Sequence, residues 1–335
     1  MIKYEDIRDL HLEMSTLCNA SCPLCPRNLH GYPYNNGFPE TYLTLAQIKT
    51  IFSEEFVNQL EEIRVNGNFG DFITNPDAID ILTYFRNINR KIKLTITTNG
   101  SARNKQFWRD LAKVNPGVMF CLDGLEDTHH LYRKDTDFHK ILENAKEFIN
   151  AGGRAHWKMI KFKHNEHQIE ACEKMAYELG FDRFELAYDG RDTGPVIDRK
   201  GNHIHSIGEF NSVVNFPVLL NNIKTRVITL ENLSGLYPPT DKINCWAKEN
   251  RSIYIAANGD ISPCCWLGFF PNTYGAGTYH WAINQQLQTV AYKNNAIEYP
   301  LKECIEWFDA IEKSWQIPTH ADGRLLACDR NCGCS

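Results

Sequence analysis

Residues 12–28 read LEMSTLCNASCPLCPRN, and the cysteines in that run, Cys18, Cys22 and Cys25, are spaced Cys-x3-Cys-x2-Cys. Three thiolates so close together can hold three corners of a four-iron cluster and leave one iron without a protein ligand. An open iron on a cysteine-bound cluster is a place for a cofactor or substrate to bind. Structural zinc sites usually come as two short-spaced cysteine pairs, which a single triplet with unequal gaps fits poorly.

The rest of the chain fits a metal-bearing enzyme. Its 335 residues are enough for one large domain and a smaller one. The net charge is −5 and no polybasic run occurs, so a nucleic-acid partner is not indicated. The first residues, MIKYEDIRDLHLE, are too charged for a signal peptide, and no apolar run approaches membrane-spanning length. The expectation is a soluble, cytoplasmic protein with no membrane partner. Twelve cysteines in a reducing compartment point to metal rather than disulfides. Nine of them fall in two terminal groups, three within residues 18–25 and six between Cys245 and Cys334 with Cys304 set aside.

From residue 10 to about 190, β-rich runs alternate with helical ones. Strands are expected at 11–16, 62–65, 92–97, 118–122, 156–162 and 183–187. Asn75 reads as the cap of a helix that begins at Pro76, and Asn165 as the cap of helix 166–179, stopped by Gly180. A further helix, from about Phe138 to Ala151, ends at Gly152 and Gly153. Six β-α repeats imply a parallel sheet with right-handed crossovers, too few for a closed eight-stranded barrel. The fold class is therefore α/β, a partial (β/α)6 barrel with a small, cysteine-rich α+β extension at the C-terminus. In such sheets ligands gather at the carboxyl ends of the strands. Cys18–Cys25, the loop of Gly67, Asn68, Phe69, Gly70 and Asp71, the Thr98-Asn99-Gly100 turn, Asp123-Gly124, Asn165 and Asp189-Gly190-Arg191 each follow a strand in turn. They point to one site at the mouth of the barrel.

The cysteine triplet resembles the signature of the radical S-adenosylmethionine (radical SAM) family. In that family SAM chelates the open iron, and reduction splits it into methionine and a 5′-deoxyadenosyl radical that takes hydrogen from a substrate. The loop in RVNGNFGDF resembles the family's Gly-Gly-Glu-Pro loop, which binds the SAM amino group. Gly67, Asn68, Phe69, Gly70 and Asp71 are then expected to bind the cofactor, with Asp71 facing an ammonium; the alternative is an ordinary βα turn. TTNGSAR and FCLDGLEDTHHLYR resemble the family's TNG and S-x-DG segments, which adds Asn99, Cys121 and Asp123. Cys121 stands where relatives place a serine near the SAM ribose, and it also reads as a small core residue. Leu24 replaces the aromatic residue often found before the third cysteine, which removes stacking on adenine.

The second cysteine group has its own pattern. Cys172 and Cys304 lie in register with apolar neighbours and read as core. Cys245 and Cys264 flank SIYIAANGDISP, a hairpin turning at Asn258-Gly259, and CDRNCGC supplies Cys328, Cys332 and Cys334. Four thiolates close an iron–sulfur cluster or a zinc site. Cys-x13-Gly-x4-Cys with a distal cysteine group resembles the SPASM and twitch extensions of radical SAM enzymes, and the second-cluster pattern of SPASM is absent. One auxiliary [4Fe-4S] cluster is expected, on Cys245, Cys264, Cys328 and Cys332, with Cys334 competing for the last place. Cys265 adjoins Cys264 and should point to the opposite face.

The domain reading is 1–191 for the radical core, 192–244 for a linker and 245–335 for the extension. The resemblance implies a radical SAM oxidoreductase or maturase. Its leading substrate class is a ribosomally made peptide. The alternatives are oxidation or rearrangement of a small molecule such as an alcohol, sugar or nucleotide, then modification of a folded protein. It implies an electron donor such as flavodoxin or ferredoxin. Only 17 residues precede Cys18, so a peptide would need direct binding or a separate recognition protein. A non-enzymatic iron–sulfur or zinc protein would explain the cysteines and leave the aligned strand-end loops unexplained. No residue is assigned as catalytic acid or base.

Overall fold

The computed structural model describes residues 1–33, 39–188, 194–208, 234–268, 286–287 and 293–334. The cluster at 189–191 and the apolar runs at 213–220 and 226–230 lie outside the described residues.

All six expected strands form: β1 (Asp9–Leu12), β2 (Glu62–Val65), β3 (Lys93–Thr98), β4 (Gly117–Cys121), β5 (Arg154–Ile160) and β6 (Arg183–Ala187). They pair in chain order, every neighbour parallel. A short hairpin follows, β7 (Gly194–Ile197) and β8 (His203–Ile207). Two further strands, β9 (Ser252–Ile255) and β10 (Ile261–Ser262), extend the sheet beyond β1 in the order β10-β9-β1-β2-β3-β4-β5-β6. The expected hairpin around Gly259 is there, with φ 93° at the glycine. Its first strand runs parallel to β1, Leu10 opposite Ile253. The sheet thus has eight strands and stays open.

Side-chain alternation gives the sheet two different faces. One residue of each pair is apolar and buried, as in Leu10, Ile63, Val65, Leu94, Ile96, Val118, Phe120, Ala155 and Trp157. Their alternates Asp9, Arg64, Thr95, Thr97, Met119, His156 and Lys158 are partly exposed. A parallel sheet covered on both faces would be apolar throughout. Among the described residues helices pack on the apolar face, and the opposite face carries the more polar alternates.

The covering helices are α1 (Leu45–Ile51), α2 (Glu54–Gln59), α3 (Ala78–Ile88), α4 (Lys105–Val114), α5 (Glu126–Tyr132), α6 (Phe138–Asn150) and α7 (Ile169–Glu178). Thr44 and Gln47 form a reciprocal cap on α1, and Asp137 caps α6. Trp108 on α4 packs on Phe120 at 5.2 Å between ring centres, and Phe148 on α6 packs on the same ring at 6.1 Å. Asn75 Oδ1 accepts the amide of Asp77 (2.8 Å), as the expected cap would, although α3 itself begins at Ala78. Its buried amide also donates to the carbonyls of Met14 (2.9 Å) and Leu43 (2.8 Å), tying the end of β1 to α1. One expected cap is corrected: Asn165 makes no side-chain cap bond. It donates to Asp123 O (3.2 Å) and Ile160 O (2.9 Å), and the chain enters α7 through a 3-10 turn instead.

The C-terminal helices are α8 (Trp246–Glu249), α9 (Leu301–Cys304), α10 (Phe308–Ser314) and α11 (Leu326–Cys332). Cys304, Trp307, Phe308, Ile311 and Cys328 belong to the same apolar core as the barrel helices, and so does Cys172. Core packing for Cys172 and Cys304 is as expected from their register.

Candidate functional site

The cysteine loop leaves β1 and is held from several sides. Thr16 Oγ1 donates to Pro39 O (2.7 Å), and the amide of Asp71 donates to Leu17 O (2.9 Å). Cys18, Cys22, Leu24 and Cys25 gather with Ala20 against Tyr132, Ile160, Phe162, Val196 and Ile207. The last two apolar side chains come from the β7–β8 hairpin, so the first part of the expected linker roofs the cysteine loop. Burial pushes the Cys22 thiol up to about 12 and raises Cys18 too, each thiol disfavouring charge on the others. Three N–H groups point at the sulfurs: Ala20 N to Cys18 (3.4 Å), Asn99 Nδ2 to Cys18 (3.7 Å) and Arg133 Nη1 to Cys22 (3.9 Å).

The loop after β2 runs alongside. A Cβ at Gly70 would lie 1.8 Å from Ser15 O, and one at Gly67 would lie 2.5 Å from Glu13 Oε1. The missing bulk at both positions therefore serves the chain's own packing. Asp71 does not present a free carboxylate. Its oxygens accept from Thr98 Oγ1 (2.8 Å), Asn99 N (2.7 Å) and Asn99 Nδ2 (2.8 Å), which fixes the turn after β3. Burial still raises its affinity for a proton. Asn68 Nδ2 donates to Cys265 O (2.8 Å), and Phe69 is buried against Tyr254 and Ala256. Both side chains thus face the C-terminal hairpin.

Across the mouth, Asp123 is fully buried at the end of β4. Its carboxylate accepts from Ile160 N (2.6 Å) and Arg133 Nε (2.5 Å), and that pairing aims the guanidinium at Cys22. Cys121 stands in register with Lys158, on the strand face opposite Phe120. The loops after β1, β2, β3, β4 and β5 therefore meet, as the strand-end rule requires. Arg133 and Glu13 were missed in the sequence. Glu13 had a readable signal, a carboxylate inside a run otherwise built for burial; the Asp123–Arg133 pairing had none.

The family description "Radical SAM superfamily" matches residues 12–182, just over half of the chain. The chain belongs to the radical SAM superfamily. Comparison with curated proteins gives no match. Among solved structures, likeness of fold extends over nearly the whole chain. SuiB of Streptococcus suis bound to S-adenosylmethionine superposes with a TM-score of 0.59 at 17% identity, covering 97% of this chain and 73% of SuiB. SuiB bound to the precursor peptide SuiA gives 0.58 at 18% identity, over 96% and 70%. AnSMEcpe with bound AdoMet gives 0.54 at 13%, over 96% and 81%. At these identities the likeness is one of fold, an α/β partial barrel.

Three thiols on one loop, that of Cys22 buried and those of Cys18 and Cys25 partly so, with N–H groups directed at two of their sulfurs, suit the iron–sulfur cluster of a radical SAM protein, whose sulfur charge is stabilised by hydrogen bonds. Among the described residues, no three His, Cys, Asp or Glu side chains are grouped to hold a single metal ion. No helix among them is long and apolar enough to cross a membrane.

The second cysteine group is gathered by the C-terminal helices. Cys245, Cys264, Cys328 and Cys332 line one cavity with Ile243, Pro263, Trp266, Leu267 and Ala327. Cys245 and Cys332 share a hydrogen bond that stabilises charge on one of the pair, lowering the Cys332 thiol while that of Cys245 rises. Burial pushes Cys328 up to about 12. Asp329 holds the helix that carries Cys328 and Cys332: Arg324 Nε (2.8 Å) and Thr240 N (2.8 Å) both donate to it. Cys265 turns away from the cavity to the Phe69–Tyr254 contact, and Cys334 is exposed with Asn244 Nδ2 at 3.2 Å.

Proposed function

We propose that this radical SAM protein is a peptide-modifying enzyme with a catalytic cluster on Cys18, Cys22 and Cys25 and one auxiliary [4Fe-4S] cluster on Cys245, Cys264, Cys328 and Cys332. The observation that carries the auxiliary part is the cavity in which those four thiols, drawn from three separate stretches of chain, come together. It supports reading 245–335 as a SPASM/twitch-like auxiliary-cluster domain. Bound at the mouth, the first cluster supplies the electron for reductive cleavage of SAM, which starts hydrogen abstraction.

The chain's own residues bind, orient and exclude water. The backbone of Gly67, Asn68, Phe69, Gly70 and Asp71, together with Asn99, Cys121 and Asp123, is the proposed rim for SAM. Asp71 acts through the Asn99 turn it fixes. Tyr132, Phe162, Val196 and Ile207 wall the cysteine loop with apolar surface. The polar inner face, with Lys158 and Glu185 paired at 3.2 Å, suits a substrate with many hydrogen-bonding groups, as a peptide has. Likeness to SuiB bound to its precursor peptide favours the same class. A small electron-transfer protein such as flavodoxin or ferredoxin would supply the electron.

The test is turnover of SAM to 5′-deoxyadenosine under anaerobic reduction, with candidate precursor peptides and small alcohols or sugars compared side by side. Stimulation and a mass change confined to a peptide support the reading. Stimulation only by a small molecule replaces the substrate class, and turnover that survives Cys18, Cys22 and Cys25→Ala sinks the mechanism.

A further inference from the structure

Glu13 lies one residue past β1 and is 1% exposed. A buried carboxylate is costly unless its oxygens are satisfied. Its partners are neutral groups from two different parts of the chain. Oε1 accepts the amides of Phe69 (2.7 Å) and Gly70 (3.1 Å), and Oε2 accepts the hydroxyl of Tyr254 (2.5 Å) on β9. Two successive backbone N–H groups on one oxygen fix the direction of the loop there. An apolar side chain could fill the space but could not set that direction.

A second tie runs parallel to the first. Asn68 Nδ2 donates to Cys265 O, and Cys265 adjoins Cys264, a residue of the cysteine cavity. From its other end the loop is bound to the first cysteine group, through Asp71 to Asn99 and from Asn99 to the Cys18 sulfur. The loop is therefore clamped between the two cysteine groups.

The geometry points to Glu13 and Tyr254 as positioning residues for the SAM loop, tying it to the hairpin that leads to Cys264. This rests on the proposed SAM role of residues 67–71. Neither side chain touches the reacting atoms in this scheme; both act through the backbone of Phe69 and Gly70.

The test uses anaerobically reconstituted protein and the variants Tyr254→Phe, Glu13→Ala and Glu13→Gln. Three readouts are taken: deuterium uptake across 66–72 without SAM, SAM affinity by equilibrium dialysis, and kcat for SAM cleavage at saturation. Tyr254→Phe and Glu13→Ala are expected to speed exchange and weaken SAM binding roughly tenfold, with kcat within about twofold. Glu13→Gln keeps an acceptor for the two amides and should retain wild-type exchange and affinity. Unchanged exchange and affinity in Tyr254→Phe overturns the inference, and so does a Glu13→Gln variant as impaired as Glu13→Ala. Should Glu13→Ala fail to fold, the Tyr254→Phe and Glu13→Gln results decide. Wild-type protein that binds no SAM removes the proposed function and the SAM role with it, while the exchange data still show whether the two residues hold the loop.

Discussion

Arg133 Nη1 lies 3.9 Å from the sulfur of Cys22, and its Nε is held 2.5 Å from Asp123 Oδ2. A cation beside a cluster ligand stabilises the more negative, reduced state, and charge and hydrogen bonds to sulfur are levers on a cluster's potential. Replacing Arg133 with Leu should lower the midpoint potential of the N-terminal cluster by roughly 60 mV or more, tenfold in a one-electron equilibrium. Arg133→Lys should shift it less. Electron paramagnetic resonance during a redox titration measures both. A potential unmoved in Arg133→Leu would show that Asp123 cancels the charge at the sulfur.

Cys332 and Cys334 are separated by one residue and differ in setting, the first lining the cavity and the second exposed. On the proposed ligand set, Cys332→Ser should disrupt the C-terminal cluster and leave about four irons per chain, against about eight expected for the wild type. Cys334→Ser, Cys172→Ser and Cys304→Ser should leave iron content unchanged. Iron and sulfide analysis with Mössbauer spectra distinguishes these results, and full loss in Cys334→Ser would reassign the fourth ligand.

Much of this arrangement was legible because it is local. Strand alternation, the glycine that turns the β9–β10 hairpin and the Cys18–Cys22–Cys25 spacing are each written within a few residues. The strand-end rule then placed Asp71, Asn99 and Asp123 at one mouth without any contact being known. The pairing of β9 with β1 was not legible, since a parallel pair between distant segments leaves no turn or spacing to read. The direction of the Asn68 and Phe69 side chains was hidden for the same reason, because it depends on that hairpin lying beside the loop. Asn165 misled because a cap-type residue before a helix can spend its side chain on other backbone groups instead.

Gly70 separates packing from ligand access as the reason for its lack of a side chain. A Cβ there would fall 1.8 Å from the backbone oxygen of Ser15, which cannot move without shifting the cysteine loop. Gly70→Ala should cost more than about 3 kcal/mol in denaturant unfolding, or leave the N-terminal cluster unassembled. Gly152→Ala is the control. Its φ is 89° with nothing within 4 Å of the added carbon, so only backbone strain of about 1 kcal/mol is expected. Equal effects in the two variants would remove the close approach as the cause.

Glu13 gives the protein a pH dependence whose sign follows from burial. Loss of solvent raises its carboxyl from an ordinary 4.5 to about 7, partly offset by the bonds from Tyr254, Phe69 and Gly70. Between those values the folded chain keeps a proton that the unfolded chain has released. The stability this group contributes is therefore fully present below pH 4.5 and lost as pH rises through 7. The full loss is roughly 3 kcal/mol, at about 1.4 kcal/mol for each pH unit. Glu13→Gln cannot titrate, so its unfolding free energy should fall less than the wild type's from pH 5 to pH 8. Urea unfolding at both pH values, under anaerobic conditions, measures the difference. Parallel pH profiles for the two proteins would place Glu13 in a site where its charge is already balanced.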